Sequence, residues 1–219
     1  MDNPWLRLPE KEPFVLAGDF AIFRKNNIDL IKIGVHPEIL PVPYLGDFNK
    51  ASIVLLCLNP GYNKTLDDLA YSDKDYLNQS MKSLIFSSDP PFYCLDERFS
   101  FTGGYIWWKK ILKYLIKIFE NKKISQELIC IQYFPYHSKK YYHLPFTLPS
   151  QYYSFYLVKQ AIKKNKVIII MRSKKLWLKA VPELKEYNYI ELKNFRRPYL
   201  TKNNLINKSD YIKIIKALR

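Results

Sequence analysis

Apolar and polar positions follow two rhythms along this chain. Three short, nearly unbroken apolar runs, Ile53–Leu58, Leu128–Tyr133 and Lys166–Met171, read as strands buried on both faces. A fourth segment, Tyr187–Leu192, alternates as a half-buried strand does. Between these runs the spacing turns helical. Tyr105–Glu120 carries a stripe of Ile106, Leu112, Leu115, Ile116 and Phe119, and Ser150–Lys164 forms a further helix. Shorter helices are expected near Phe20–Arg24, around Leu77–Phe86, from about Lys174, and over Ser209–Leu218 with Ser209 as the N-cap. Pro41-Val42-Pro43-Tyr44 reads as a connection, and Ser87–Gly104 has the composition of a long surface loop.

Strands separated by helices predict an α/β fold. The expected architecture is a three-layer α/β/α sandwich around a central, mainly parallel four-stranded sheet. The 219 residues suit one domain spanning 1–219, with 87–108 as a pocket-forming insertion. No apolar run reaches the roughly 18 residues of a membrane span. The start, Met1-Asp2-Asn3-Pro4-Trp5, has neither the basic residues nor the apolar core of a secretion signal. Cys57, Cys94 and Cys130 are odd in number and far apart, and two of them lie inside strand runs. They read as small core residues of a cytoplasmic protein. Neither a zinc site nor an iron–sulfur cluster is built from that spacing, and no cofactor is expected.

Charge changes the picture. Residues 1–100 hold 10 basic and 14 acidic side chains, whereas residues 101–219 hold 25 and 6. The second half is therefore strongly cationic, and nucleic acid is the expected partner. A monomer is expected, since no heptad pattern is present.

Candidate chemistry gathers at the ends of the apolar runs, where open α/β sheets keep their sites. Leu58-Asn59-Pro60-Gly61-Tyr62 stops the first run with a residue that cannot donate to a sheet and a glycine free to adopt unusual angles. A carboxamide lifted out there, on Asn59, can hold a water. Gln132 ends the second run, where it either satisfies a loop backbone or reads the edge of a base. Arg172, Ser173 and Lys174 follow the third run as a basic helix start. Downstream, Asn194-Phe195-Arg196-Arg197-Pro198-Tyr199-Leu200-Thr201-Lys202 is a basic loop suited to phosphate contacts. His36, His137 and His143 form no triad or HExxH spacing, and a surface role is expected for His137 and His143. With six glycines and no G-x-x-x-x-G-K pattern, a phosphate-binding loop is excluded.

The order of these segments resembles the uracil-DNA glycosylase superfamily, in the branch that uses Asn-Pro-Gly. The matching parts are strand-Leu-Asn-Pro-Gly at 58–61, strand-Gln-x-x-Pro at 132–135, Val167–Ser173, and the basic Pro-x-Leu-Thr loop at 198–201. The resemblance spans about residues 41–205. It implies a monofunctional DNA glycosylase in which Asn59 positions the attacking water and Gln132 reads the flipped base. Tyr62 and Phe92 are then candidates to stack on that base, with Tyr136 also beside it. Arg172, Lys174, Arg196, Arg197 and Lys202 would bind DNA.

Two departures alter the implied substrate. The family reads its base with Asn where this chain has Gln132, and Arg196-Arg197 stand where a His or Asn is usual. A modified or damaged base is therefore expected rather than uracil, in base-excision repair or phage defence. Trp107 and Trp108 belong either to the pocket or to the core. The alternative is a non-catalytic DNA- or protein-binding module that retains the fold. A cleft lined by Asn59, Gln132 and aromatic residues would favour the enzyme; one filled by side chains from 87–108 would favour the binder.

Overall fold

A computed structural model describes all 219 residues. The order of elements is α1 (Ala17–Lys25), β1 (Tyr44–Leu45), β2 (Ile53–Cys57), α2 (Lys64–Ser72), α3 (Lys74–Ser83), α4 (Gly103–Glu127), β3 (Leu128–Gln132), α5 (Pro149–Lys163), β4 (Val167–Ile170), α6 (Lys174–Ala180), β5 (Ile190–Glu191) and α7 (Asp210–Ala217), with short 3-10 turns between. No helix is long and apolar enough to cross a membrane.

The sheet is mixed and has five strands, in the order β1-β3-β2-β4-β5. This corrects the expected four-stranded sheet. The four anticipated strands do pair in parallel, but β1 adds antiparallel to β3, with Tyr44 opposite Ile131 and Leu45 opposite Cys130. Its two prolines disguised it. Pro41 and Pro43 cannot donate to a ladder, yet an edge strand tolerates them. Around them Val42 N–H donates to Pro135 O (2.9 Å), and Pro43 O accepts from Gln132 N–H (2.8 Å). The alternating strand at 187–192 shrinks to Ile190–Glu191.

Alternation along the central strands sends side chains to two separate cores. Val54, Leu56, Ile129, Ile131, Ile168 and Ile170 join one core with Trp5, Phe23, Phe155 and Trp177. Ile53, Leu55, Cys57, Leu128, Cys130 and Ile169 join the other with Leu112, Leu115 and Ile214. Trp177 also ties α6 to the sheet, its indole N–H donating to Cys57 O (2.9 Å).

Three further expectations change. The stretch 87–104 is no surface loop, because Pro91–Leu95, Phe99 and Thr102 are buried. Phe92 meets Trp108 edge-on at 4.9 Å, and Ser125 Oγ accepts from its backbone N–H. The 87–108 insertion therefore completes a core, with Trp108 buried in it. Ile106 of the expected stripe is exposed, while Trp108, Ile111, Leu112 and Leu115 form the buried face of α4. Helical angles in α4 are broken at Glu120, where φ is 63°. Ser209 precedes α7 but makes no side-chain cap bond.

Asp19 is the most deeply buried carboxyl of the fold. It accepts from Tyr136 O–H (2.7 Å) and from Ser150 N–H (2.9 Å), joining α1 to the start of α5. Burial raises its pKa above the ordinary carboxylate range, partly offset by these hydrogen bonds. Asp19→Ala strands both donors in a core. The expected loss is about 2–4 kcal/mol, read from urea unfolding.

Candidate active site

The Asn-Pro-Gly turn leaves β2 and is laced to the segment that leaves β3. Tyr133 N–H donates to Cys57 O (3.2 Å), Phe134 N–H to Leu58 O (2.7 Å) and Ser138 N–H to Pro60 O (3.2 Å). Asn59 completes the lacing. Its Nδ2 donates to Pro60 O (2.9 Å), Ser138 O (3.1 Å) and Ser138 Oγ (2.9 Å). Two of these partners are carbonyls that only accept, so the amide nitrogen is fixed on that side. Oδ1 then faces away from Ser138 with no protein donor on it, on a half-buried residue. Such an oxygen is an acceptor held in place for a water or a substrate group.

Gly61 does not work as expected. Its φ is not positive, and a Cβ added to it would meet nothing within 4 Å. Pro60 and the cross-links to 134–138 make the turn.

His137 supplies one of those cross-links, and it is buried rather than a surface residue. Its Nδ1 lies 2.7 Å from Gly61 O, which only accepts, so the proton sits on Nδ1. Nε2 is then an acceptor facing Tyr71 Oη at 3.2 Å, whose one proton it shares with Leu40 O at 3.3 Å. Burial depresses the imidazole pKa, with His36 adding to the effect and Asp67 and Glu38 opposing it. A depressed pKa means the unfolded chain takes the proton first. The stability His137 contributes is complete above about pH 6.5 and is lost as pH falls from there through the folded-state value. His137→Gln is expected to flatten the fall in urea midpoint between pH 7.5 and 5.5, which titration of both proteins checks.

Gln132 ends β3 in register with Cys57. Alternation points it to the side of Cys57 and Cys130, toward the α4 core. The residue is 7% exposed, its Oε1 is buried with no partner, and no protein group bonds its Nε2. It does not satisfy a loop backbone. An unpaired buried acceptor costs about 1–3 kcal/mol, and native proteins keep few of them.

The other expected base contacts do not join this pair. Tyr62 is close in sequence, but one ring face is covered by His36, stacked at 3.3 Å between centroids. Phe92 is fully buried against Trp108. Tyr136 lies in the core on the opposite face of the sheet, bonded to Asp19. Other aromatic residues pack on the Cys57 face of the sheet. Tyr71, Tyr76 and Tyr93 pack edge to face, at 5.5 Å and 5.3 Å, in or against the core that contains Cys57. Ser80 Oγ bonds Tyr93 Oη at 3.0 Å, and burial pushes the Cys94 thiol up to about 12. These groups stay neutral, a setting for polar recognition without charge. Their signal in sequence was only aromatic content.

The expected cationic residues divide. Arg172 is half-buried, and its Nε is enclosed without a partner. Lys174 is engaged by Glu191 at 2.6 Å. Arg196, Arg197 and Lys202 are exposed and form no ion pair. Their loop is built by Asn194 and Asn204. Asn194 Oδ1 accepts from the N–H groups of Arg196 (3.1 Å) and Arg197 (3.0 Å), and Asn204 Nδ2 donates to Arg197 O (3.1 Å) and Tyr199 O (2.9 Å). Phe195, 59% exposed, stands beside the arginines.

No family model, curated protein or solved structure matches this chain. Two cavities, of about 430 and 480 Å3, flank Tyr133 and Arg197 respectively, and neither is lined by Asn59 or Gln132.

Proposed function

We propose that this protein is a DNA glycosylase, a divergent uracil-DNA glycosylase relative with the three-layer α/β/α arrangement of that superfamily. Its substrate is a modified or damaged base in DNA. The observation that carries the reading is the pair of carboxamides on adjacent strand ends: Asn59 with a fixed, open Oδ1, and Gln132 with an unpaired, buried Oε1. In the reaction, the C1′–N bond breaks and its electron pair leaves with the base. Water bonded to Asn59 Oδ1 adds its oxygen to C1′, and a water proton ends on the base nitrogen. Asn59 contributes orientation rather than basicity. Gln132 presents a donor and an acceptor to the base edge.

The basic loop at 194–202 holds DNA through phosphates, and Phe195 is an apolar wedge of the kind that enters a base stack. Flipping the nucleotide costs a few kcal/mol. The Pro91–Leu95 segment packs the same core that Gln132 faces, so it must draw back for a base to enter. The chain acts as a monomer.

That same packing favours a second reading, a binding module that retains the fold. Incubation with oligonucleotides carrying a panel of natural and modified bases, scored for alkali-labile abasic sites, separates the two. Abasic sites in at least one member support the enzyme. None, with salt-sensitive DNA binding, supports the module.

A further inference from the structure

One of the two cavities lies between the exposed face of α4 and the 194–204 loop. Its lining includes Lys113, Tyr114, Arg197, Tyr199, Thr201 and Asn203, and it has no carboxylate. Lys113 and Arg197 form no ion pair, and Lys113 Nζ lies 4.9 Å from the centre of the Tyr114 ring. Tyr114 is 44% exposed, so its ring is open to a ligand. The side chains of Thr201 and Asn203 bond no protein group, leaving a hydroxyl and a carboxamide available.

The walls are already ordered. Leu200 N–H donates to Ile111 O (3.2 Å), fastening the loop to α4, and Asn204 Oδ1 accepts from Asn194 N–H (3.0 Å). A cation pair, two aromatic rings and neutral polar groups around one cavity match a nucleotide: phosphate on the cations, base on a ring. The cationic surface also continues. Lys110, Lys113 and Lys117 are all exposed on α4, spaced by helical turns over about 10 Å. One phosphate occupies only part of such a row, whereas a strand occupies all of it. Duplex DNA hides the base faces that Tyr114 and Tyr199 would stack on.

We infer that this cavity seats one nucleotide of a single-stranded nucleic acid, whose backbone runs on along the α4 lysines. The inference goes beyond the proposed base excision and stands whether or not the Asn59 corner cleaves anything. Neither Lys113 nor Tyr114 belongs to that corner.

Fluorescence anisotropy of the full chain with a twelve-residue oligothymidylate, at several salt concentrations, tests it. Tyr114→Ala is expected to weaken this binding about tenfold while leaving a duplex of equal length unaffected. Lys113→Ala is expected to reduce the slope of log affinity against log salt by about 0.7. Both side chains are at the surface, and unchanged urea midpoints establish that the variants fold. Wild-type affinity in both variants, an equal loss on duplex, or competition by thymidine monophosphate at equal nucleotide concentration would each overturn the inference.

Discussion

Asn59→Ala is expected to lower base release by about 100-fold or more while DNA affinity stays within twofold. The reason is geometric. The Asn59 amide nitrogen is held by Pro60 and Ser138, which turns Oδ1 away from Ser138. Alanine removes that acceptor and, in the proposed reaction, leaves the attacking water unoriented. The turn itself survives, because the backbone bonds from Phe134 to Leu58 and from Ser138 to Pro60 remain. Single-turnover release from a confirmed substrate, beside anisotropy on the same DNA, checks both halves. Equal loss of binding and release would instead mean that Asn59 is structural.

Gly46→Ala is expected to have the largest effect on folding. Gly46 has φ of +113° and lies against β3, where a Cβ would come 2.9 Å from Ile129 Cα and closer still to the Leu128 carbonyl. Both obstacles are backbone of a core strand and cannot swing aside. The positive φ alone costs an alanine about 1–2 kcal/mol. Detaching β1 from Ile131 and Cys130 adds to this, for a total of about 4 kcal/mol or more. That is a large share of the roughly 5–15 kcal/mol holding a domain together. Gly61→Ala is the control. With open space and no positive φ, it should move the urea midpoint by no more than about 0.5 kcal/mol equivalent.

The contrast between these glycines explains what was legible in the sequence. Both precede a polar or aromatic residue, and only the backbone angles and the neighbouring strand distinguish them. Central strands could be read because parallel β2, β3 and β4 are buried on both faces and so form continuous apolar runs. Edge strand β1 could not, since its two residues follow prolines. Asn59 and Gln132 were visible for a related reason: each is a polar residue that interrupts an apolar strand where the chain turns. Aromatic residues carry no such directional mark. Phe92, Tyr136 and Tyr76 look alike in sequence, yet one packs on Trp108, one bonds Asp19 on the far face of the sheet, and one stands in the Cys57 core. The buried run Pro91–Leu95 was hidden by its flanks, Ser87-Ser88-Asp89 and Asp96-Glu97-Arg98, which have the polarity of a surface loop. His137 was hidden likewise, because its role depends on a carbonyl 76 residues away in the chain.

The base itself is the product to look for. A pool of oligonucleotides carrying modified bases, incubated with the wild-type protein and with Asn59→Ala in parallel, can be analysed for free base by mass spectrometry. Hydrolysis at the Asn59–Gln132 corner should release one intact base, matched by an equal yield of abasic sites, from the wild-type protein alone. Tight binding of the pool with no base released, or equal release by both proteins, would contradict it.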